Sequence, residues 1–246
     1  MQCPAPEAGS RAMNETKAAI EARGLCKRYG RTWALVDVDL CIRPGEALVV
    51  AGRNGSGKST LLRVLAGSLR PDRGEVRLLG TSLRRGRAAL VGHASFTYDL
   101  LTGMENLRIA ARLLGRPSGP EEIQPFLDRV GLGARGADRV QAYSAGMRKR
   151  LTLARALMQD APVLLLDEPY GQLDPPGFGL IDRLVDELRA EGRAVVLASH
   201  QVERLSRICD RALLLDAGRA VWSGPASELP FAFQRLEEAS IRAVAG

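Results

Sequence analysis

Residues 46–60 read as an apolar strand that enters a glycine-rich turn and leaves it as a helix. After Glu46 come Ala47-Leu48-Val49-Val50-Ala51, then Gly52-Arg53-Asn54-Gly55-Ser56-Gly57-Lys58-Ser59, and from Ser59 to Ser68 leucines recur at helical spacing. Glycines tolerate positive φ, so successive backbone N–H groups can turn inward and form a nest at the helix N-terminus, where an anion is favoured. The pattern G-x-x-x-x-G-K-[ST] between a buried strand and a helix is the arrangement that cradles nucleotide phosphates. In that reading Gly52, Asn54, Gly55, Ser56 and Gly57 shape the cradle, and Lys58 neutralises the β- and γ-phosphates. Ser59 offers its hydroxyl to Mg²⁺, and Thr60 is a supporting donor. The competing reading is a glycine-rich turn that contains Gly-Lys-Ser by chance, and the flanking strand and helix count against it.

A second apolar strand, Val163-Leu164-Leu165-Leu166, ends in Asp167-Glu168-Pro169. Asp167 is placed to hold the hydration shell of Mg²⁺, and Glu168 to polarise an attacking water. Taken alone, two acids at a strand end are commonly just solvated. Paired with the loop at 52–59, they point to phosphate-bond hydrolysis.

Around these motifs strands and helices alternate, which argues for a mainly parallel sheet. Residues 1–18 read as an unstructured tail, with Met13 an alternative start. Strand-like segments come next at 20–29 and 34–42, then short strands near 75–79 and 89–91. From 104 to 158 the pattern is helical, broken by Gly-Arg-Pro-Ser-Gly-Pro at 115–120, so residues 95–158 are expected to form a helical lobe inserted in an α/β core. The core resumes with a strand at 163–167, a helix at 178–190, a strand at 194–199 and two strands flanking Ala217-Gly218; a helix over 231–246 ends the chain.

No run of 18 apolar residues exists, so the chain is not expected to cross a bilayer by itself, and residues 1–11 lack the pattern of a secretory signal. Cys3, Cys26, Cys41 and Cys209 are scattered, which suggests neither a metal site nor a disulfide framework. The net charge of +7 could attract nucleic acid or an anionic membrane. Only Lys17, Lys27, Lys58 and Lys149 are lysines among 35 basic residues, and the remaining 31 arginines are dispersed, so a solvated surface is the plainer reading.

With these motifs in hand, residues 20–225 resemble the ABC ATPase family. The resemblance implies an α/β P-loop NTPase core with a mainly parallel sheet, an antiparallel β subdomain and the inserted helical lobe, the cassette occupying 19–230. Tyr29 resembles the aromatic that stacks on adenine; alternatively it is a strand-end aromatic packed on the core. Tyr143-Ser144-Ala145-Gly146-Met147 resembles the signature L-S-G-G-Q, with Tyr, Ala and Met as departures, so Ser144 and Gly146 carry the likeness. Asp174 in Gly171-Gln172-Leu173-Asp174 resembles the residue that reaches the partner cassette, and His200 the switch histidine that contacts the γ-phosphate.

By the same resemblance the ligands are ATP and Mg²⁺ and two copies pair as a homodimer. Transmembrane permease subunits provide the contact with the membrane, and the chain sits at the cytoplasmic face. Nucleic acid is not an expected partner: relatives that act on it carry paired cassettes, coiled-coil arms or zinc modules, and neither heptads nor Cys pairs occur here. The family's glutamine between core and lobe is replaced by Ala94, which cannot ligate anything; His93 beside it is a loop residue or a substitute. The stretch from Gly92 to Leu107 resembles the ATP-binding subunit of the haem exporter used in cytochrome c biogenesis. ATPases of drug, polysaccharide and ion exporters share much of it.

Overall fold

The computed structural model describes residues 18–82, 86–92, 96–173 and 175–245. Of the sequence expectations, the tail at 1–17 and the residues His93, Ala94 and Asp174 lie outside that set. The described chain opens with β1 (Ile20–Tyr29) and β2 (Thr32–Ile42), an antiparallel pair. Then come β3 (Ala47–Ala51), the glycine-rich turn, α1 (Lys58–Leu65), β4 (Arg73–Leu78), β5 (Thr81–Ser82) and β6 (Ala88–Val91). The chain next leaves the sheets for α2 (Gly103–Leu113), α3 (Pro120–Arg129) and α4 (Ala145–Leu157). It returns as β7 (Val163–Asp167), α5 (Pro175–Ala190), β8 (Ala194–Ala198), α6 (Val202–Ile208), β9 (Arg211–Asp216), β10 (Arg219–Pro225) and α7 (Leu229–Ala245).

These strands make two sheets. An antiparallel one runs β2-β1-β4-β5, and a six-stranded one runs β10-β9-β3-β8-β7-β6. In the second, β9, β3, β8, β7 and β6 are mutually parallel, and only the β9–β10 hairpin is antiparallel. The uninterrupted apolar runs of β3, β7 and β8 have a simple cause: every residue is buried, and side chains alternate between two cores. Leu48, Val50, Leu165 and Val196 pack with Leu61, Leu62 and Leu65 of α1 and with the antiparallel sheet. Val49, Leu164, Leu166, Val195 and Leu197 pack on the other side with α5 and the helices of the lobe.

The lobe is held together by local chemistry as well as by packing. Thr102 and Glu105 form a reciprocal capping box that starts α2, with the Thr102 amide donating to Glu105 Oε2 at 2.7 Å and the Glu105 amide to Thr102 Oγ1 at 3.1 Å. The Thr102 amide, helped by its hydroxyl, holds the Glu105 carboxyl below its ordinary range. Pro120 sits in the first turn of α3, where its missing N–H costs nothing.

Two of the named elements, β5 and α6, were not legible in the sequence. Helix α6 has seven residues and no side-chain cap, too short a span for a periodic signal, and it is stabilised by burial of Val202 and Leu205. Burial also separates two leucines of the same type: Leu165 of β7 is wholly buried, whereas Leu113 of α2 is 82% exposed. Leu165→Ala is therefore expected to cost about 2–5 kcal/mol of stability. Leu113→Ala should cost less than about 0.5 kcal/mol, both being read from urea midpoints at constant m-value.

Candidate functional site

The glycine-rich turn is clamped between two strands it does not belong to. A Cβ on Gly52 would lie 2.2 Å from the carbonyl of Leu215, and one on Gly57 would lie 2.3 Å from the carbonyl of Ala34. Both have positive φ, 148° and 107°, so glycine is required on conformational and on steric grounds. The Gly218 amide donates to Ser56 O at 3.1 Å and ties the loop to the β9–β10 hairpin. Lys58 is 7% exposed, and its ammonium donates to the carbonyls of Gly52 (2.8 Å) and Arg53 (3.0 Å). Burial lowers its proton affinity, and Glu168 and Asp167 pull the other way. Ser56 Oγ is buried with no hydrogen-bond partner among the described residues. A buried cation held by neutral carbonyls, an unused hydroxyl and a helix N-terminus together suit an anion with several oxygens.

The loop forms one wall of a cleft of about 420 Å³. Asn54, Gly55, Gly57, Lys58, Ser59 and Thr60 line it from the loop and α1. Tyr29 comes from the end of β1, and Glu168 and His200 from the ends of β7 and β8. Tyr29 is 47% exposed, so its ring is not packed into the core. Glu168 has φ 47°, which swings the chain out of β7, and its amide donates to Ala198 O at 2.8 Å. Its carboxylate receives the Ser199 hydroxyl at 2.7 Å on Oε2 and has His200 Nδ1 3.1 Å from Oε1. Asp167 terminates β7 at 6% exposure, behind the cleft rather than lining it.

A family model described as ABC transporter matches residues 35–171, more than half of the 246 residues. The chain belongs to the ABC transporter family. The daunorubicin resistance ATP-binding protein DrrA3 of Streptomyces coeruleorubidus is 37% identical over 219 residues, 86% of this chain and 69% of that one. The Nod factor export ATP-binding protein I of Paraburkholderia xenovorans is 36% identical over 221 residues, 87% and 73% of the two chains. The phosphonates import ATP-binding protein PhnC of Stutzerimonas stutzeri is 35% identical over 238 residues, 86% of each. A solved ATP-binding subunit of an ABC transporter superposes with TM-score 0.78 at 26% identity, covering 91% of this chain and 98% of that one. The dimeric bacterial cassette MJ0796 gives 0.77 at 27%, covering 84% and 98%. The chain is thus an ATP-binding, ATP-hydrolysing cassette of the ABC transporter fold.

The segment 143–147, which resembles the family signature, does not line the cleft of its own phosphate loop. Ser144 is exposed and caps α4, accepting from the Met147 amide at 3.2 Å, and neither it nor Gly146 lines the cleft. A Cβ on Gly146 would come within 3.1 Å of Gln172 O, so this segment packs on the turn after Glu168. Its departures from the family pattern have packing causes. Tyr143 is buried in the lobe, donates to Arg135 O at 2.7 Å and fills the space above Gly103; Met147 packs partly buried on the main core. Asp174 and Ala94, both assigned by resemblance, fall outside the described residues.

Two groups of site residues escaped the sequence reading. Lys149 on α4 is 6% exposed and donates to Gly92 O and Asp167 O, each at 3.3 Å, so it joins the lobe to the ends of β6 and β7; burial lowers its proton affinity. Among the described residues Lys58 and Lys149 are the buried cationic side chains, and nothing in the residue type announced that burial. The second group is Tyr170, whose hydroxyl donates to Asp182 Oδ1 at 2.7 Å under the guanidinium of Arg204, 5.1 Å from the ring centre. Burial, reinforced by Asp182, pushes the Tyr170 phenol up. This cluster ties the turn after Glu168 to α5 and α6. Gly57→Ala is expected to lose about 1–3 kcal/mol of stability through backbone strain alone. It should also weaken Mg·ATP binding at least about ten-fold (near 1.4 kcal/mol), as measured by nucleotide titration.

Proposed function

We propose that this cassette hydrolyses ATP as a pair of copies and so drives a membrane permease that exports an amphipathic molecule. One observation carries the paired arrangement: Lys58, Glu168 and His200 share a cleft, while Ser144 and the start of α4 are exposed on another part of the same chain. A phosphate site open on one side and a free helix N-terminus elsewhere are complementary halves of one interface. In the pair, Tyr29 stacks on the adenine and Lys58 neutralises the β- and γ-phosphates. Glu168 accepts a proton from the attacking water, and His200 contacts the γ-phosphate. Ser144 and Gly146 of one copy face the phosphates held by the other, with Asp174 reaching across. Ser59, on the cleft wall, would hold Mg²⁺, and Asp167, behind it, the ion's hydration shell; the ion supplies charge neutralisation at the phosphates.

Among the described residues no helix is long and apolar enough to cross a membrane. By the family resemblance, a permease supplies the membrane contact and the cassette sits peripherally at the cytoplasmic face. A groove beside α2, lined by Phe96, Tyr98, Leu113, Leu151 and Arg155, supports this reading. Phe96 and Leu113 are 76% and 82% exposed, and Arg155 donates to Phe96 O at 2.6 Å. Apolar side chains grouped on a surface with one cation mark a protein contact, and the groove lies on the lobe. For cargo, the Nod factor export relative supports export and the daunorubicin-resistance relative supports a drug-like compound, which we take to be amphipathic; the phosphonates import relative is similar to the same degree. Haem is such a compound, and the resemblance of residues 92–107 to the haem exporter subunit brings haem within the same reading.

Two experiments test it. Lys58→Ala and Ser144→Arg chains should each be inactive alone. Mixed in equal amounts, they should regain about a quarter of wild-type phosphate release, because half of the pairs carry one intact composite site. A mixture as inactive as its components sinks the paired site. Deleting the gene in its host decides the cargo. Failure of covalent haem attachment to c-type cytochromes selects haem, whereas intact cytochromes with raised accumulation of an anthracycline select drug-like export.

A further inference from the structure

Ser199 is wholly buried, at 0% exposure, and sits between the end of β8 and His200. Its amide donates to Val50 O at 3.2 Å, which fixes its backbone to β3, the strand that leads into the phosphate loop. Its hydroxyl has two partners. The Gln201 amide donates to Ser199 Oγ at 3.2 Å, and Oγ lies 2.7 Å from Glu168 Oε2. A serine hydroxyl carries a single proton, and its role toward the Gln201 amide is that of acceptor, so the proton is directed at the carboxylate. A hydroxyl bonded to an anionic oxygen in a buried setting is among the stronger neutral-donor contacts. The two Glu168 oxygens are thereby divided: Oε2 is engaged by a buried, immobile group, and Oε1 faces His200, whose side chain is 62% exposed.

We propose that Ser199 is a positioning residue for catalysis: its hydroxyl anchors one oxygen of Glu168 so that the other is presented to the cleft. The Glu168 backbone alone does not do this. Its left-handed φ and its amide bond to Ala198 O set where Cα lies, but the carboxylate still has its side-chain torsions to choose. Anchoring Oε2 selects among them, and a carboxylate that handles a proton must be held within a fraction of an ångström of its working position. Ser199 itself stays behind Glu168 and does not line the cleft. The inference rests on the assignment of Glu168 as the group that accepts the proton of the attacking water.

The test is steady-state phosphate release by the purified full-length chain at concentrations that support pairing, with Mg·ATP affinity measured by titration. Ser199→Ala should lower kcat about 10- to 100-fold. It should leave KM and Mg·ATP affinity within about three-fold of wild type, because it misplaces a group that acts in the chemical step rather than in binding. Ser199→Thr, which keeps the hydroxyl, should return most of kcat. In a Glu168→Gln background, Ser199→Ala should change the residual rate less than about two-fold, because a residue acting through Glu168 has nothing left to position. Three outcomes overturn the proposal: an equal fold-loss in both backgrounds, a Thr variant as slow as the Ala variant, or a raised KM with kcat intact. Wild-type turnover by Glu168→Gln alone would instead remove the assignment of Glu168, and is read separately from the Ser199 variants.

Discussion

The parallel register of three buried strands decides where the chemistry of this cassette can occur. Val50 of β3 pairs with Ala198 of β8, and Ala198 pairs with Asp167 of β7. The three strands therefore end within one residue of the same level, and their C-terminal continuations emerge side by side: the phosphate loop after β3, Glu168 after β7, Ser199 and His200 after β8. Ligand chemistry outside the carboxyl ends of parallel strands is the general consequence of this architecture. A shift of register by one residue would move Glu168 away from Ser199 and Lys58 alike.

Electrostatics in the site is a product of that convergence. Lys58 and Lys149 are both nearly inaccessible, and both donate to backbone carbonyls. Burial weakens their hold on a proton, and the same two carboxylates, Asp167 and Glu168, restore part of it. The four charges are thus mutually dependent, and nucleotide phosphates bound near Lys58 act on all of them. Lys149 belongs to α4, the helix capped by Ser144, so that helix is tied to the end of β7 through the Asp167 carbonyl.

The lobe also carries the exposed apolar side chains around Phe96 and Leu113, and Arg155 of α4 bonds to Phe96 O. Helix α4 therefore meets three parts of the chain: its Lys149 bonds to Asp167 O at the end of β7, its first turn packs near Gln172, and its Arg155 bonds to Phe96 O. The Tyr170–Asp182–Arg204 cluster does the corresponding work within the core, fixing α6 against the turn after Glu168.

Much of this was legible in the sequence because it is local. The phosphate loop is eight consecutive residues whose glycines are demanded by backbone geometry, and the continuous apolar runs of β3, β7 and β8 announce strands buried on both faces. The capping of α4 by Ser144 was likewise readable from neighbours in the chain. The tertiary structure alone decided the rest. Ser199 and Glu168 are 31 residues apart, Lys149 and Asp167 are 18 apart, and Lys149 and Gly92 are 57 apart. Tyr143 fits the signature position because Gly103, on another helix, leaves it room. Residue type and spacing encode what a backbone does with its neighbours, but a hydrogen bond across such separations exists only once strand register and helix packing have set the two groups within about 3 Å of each other.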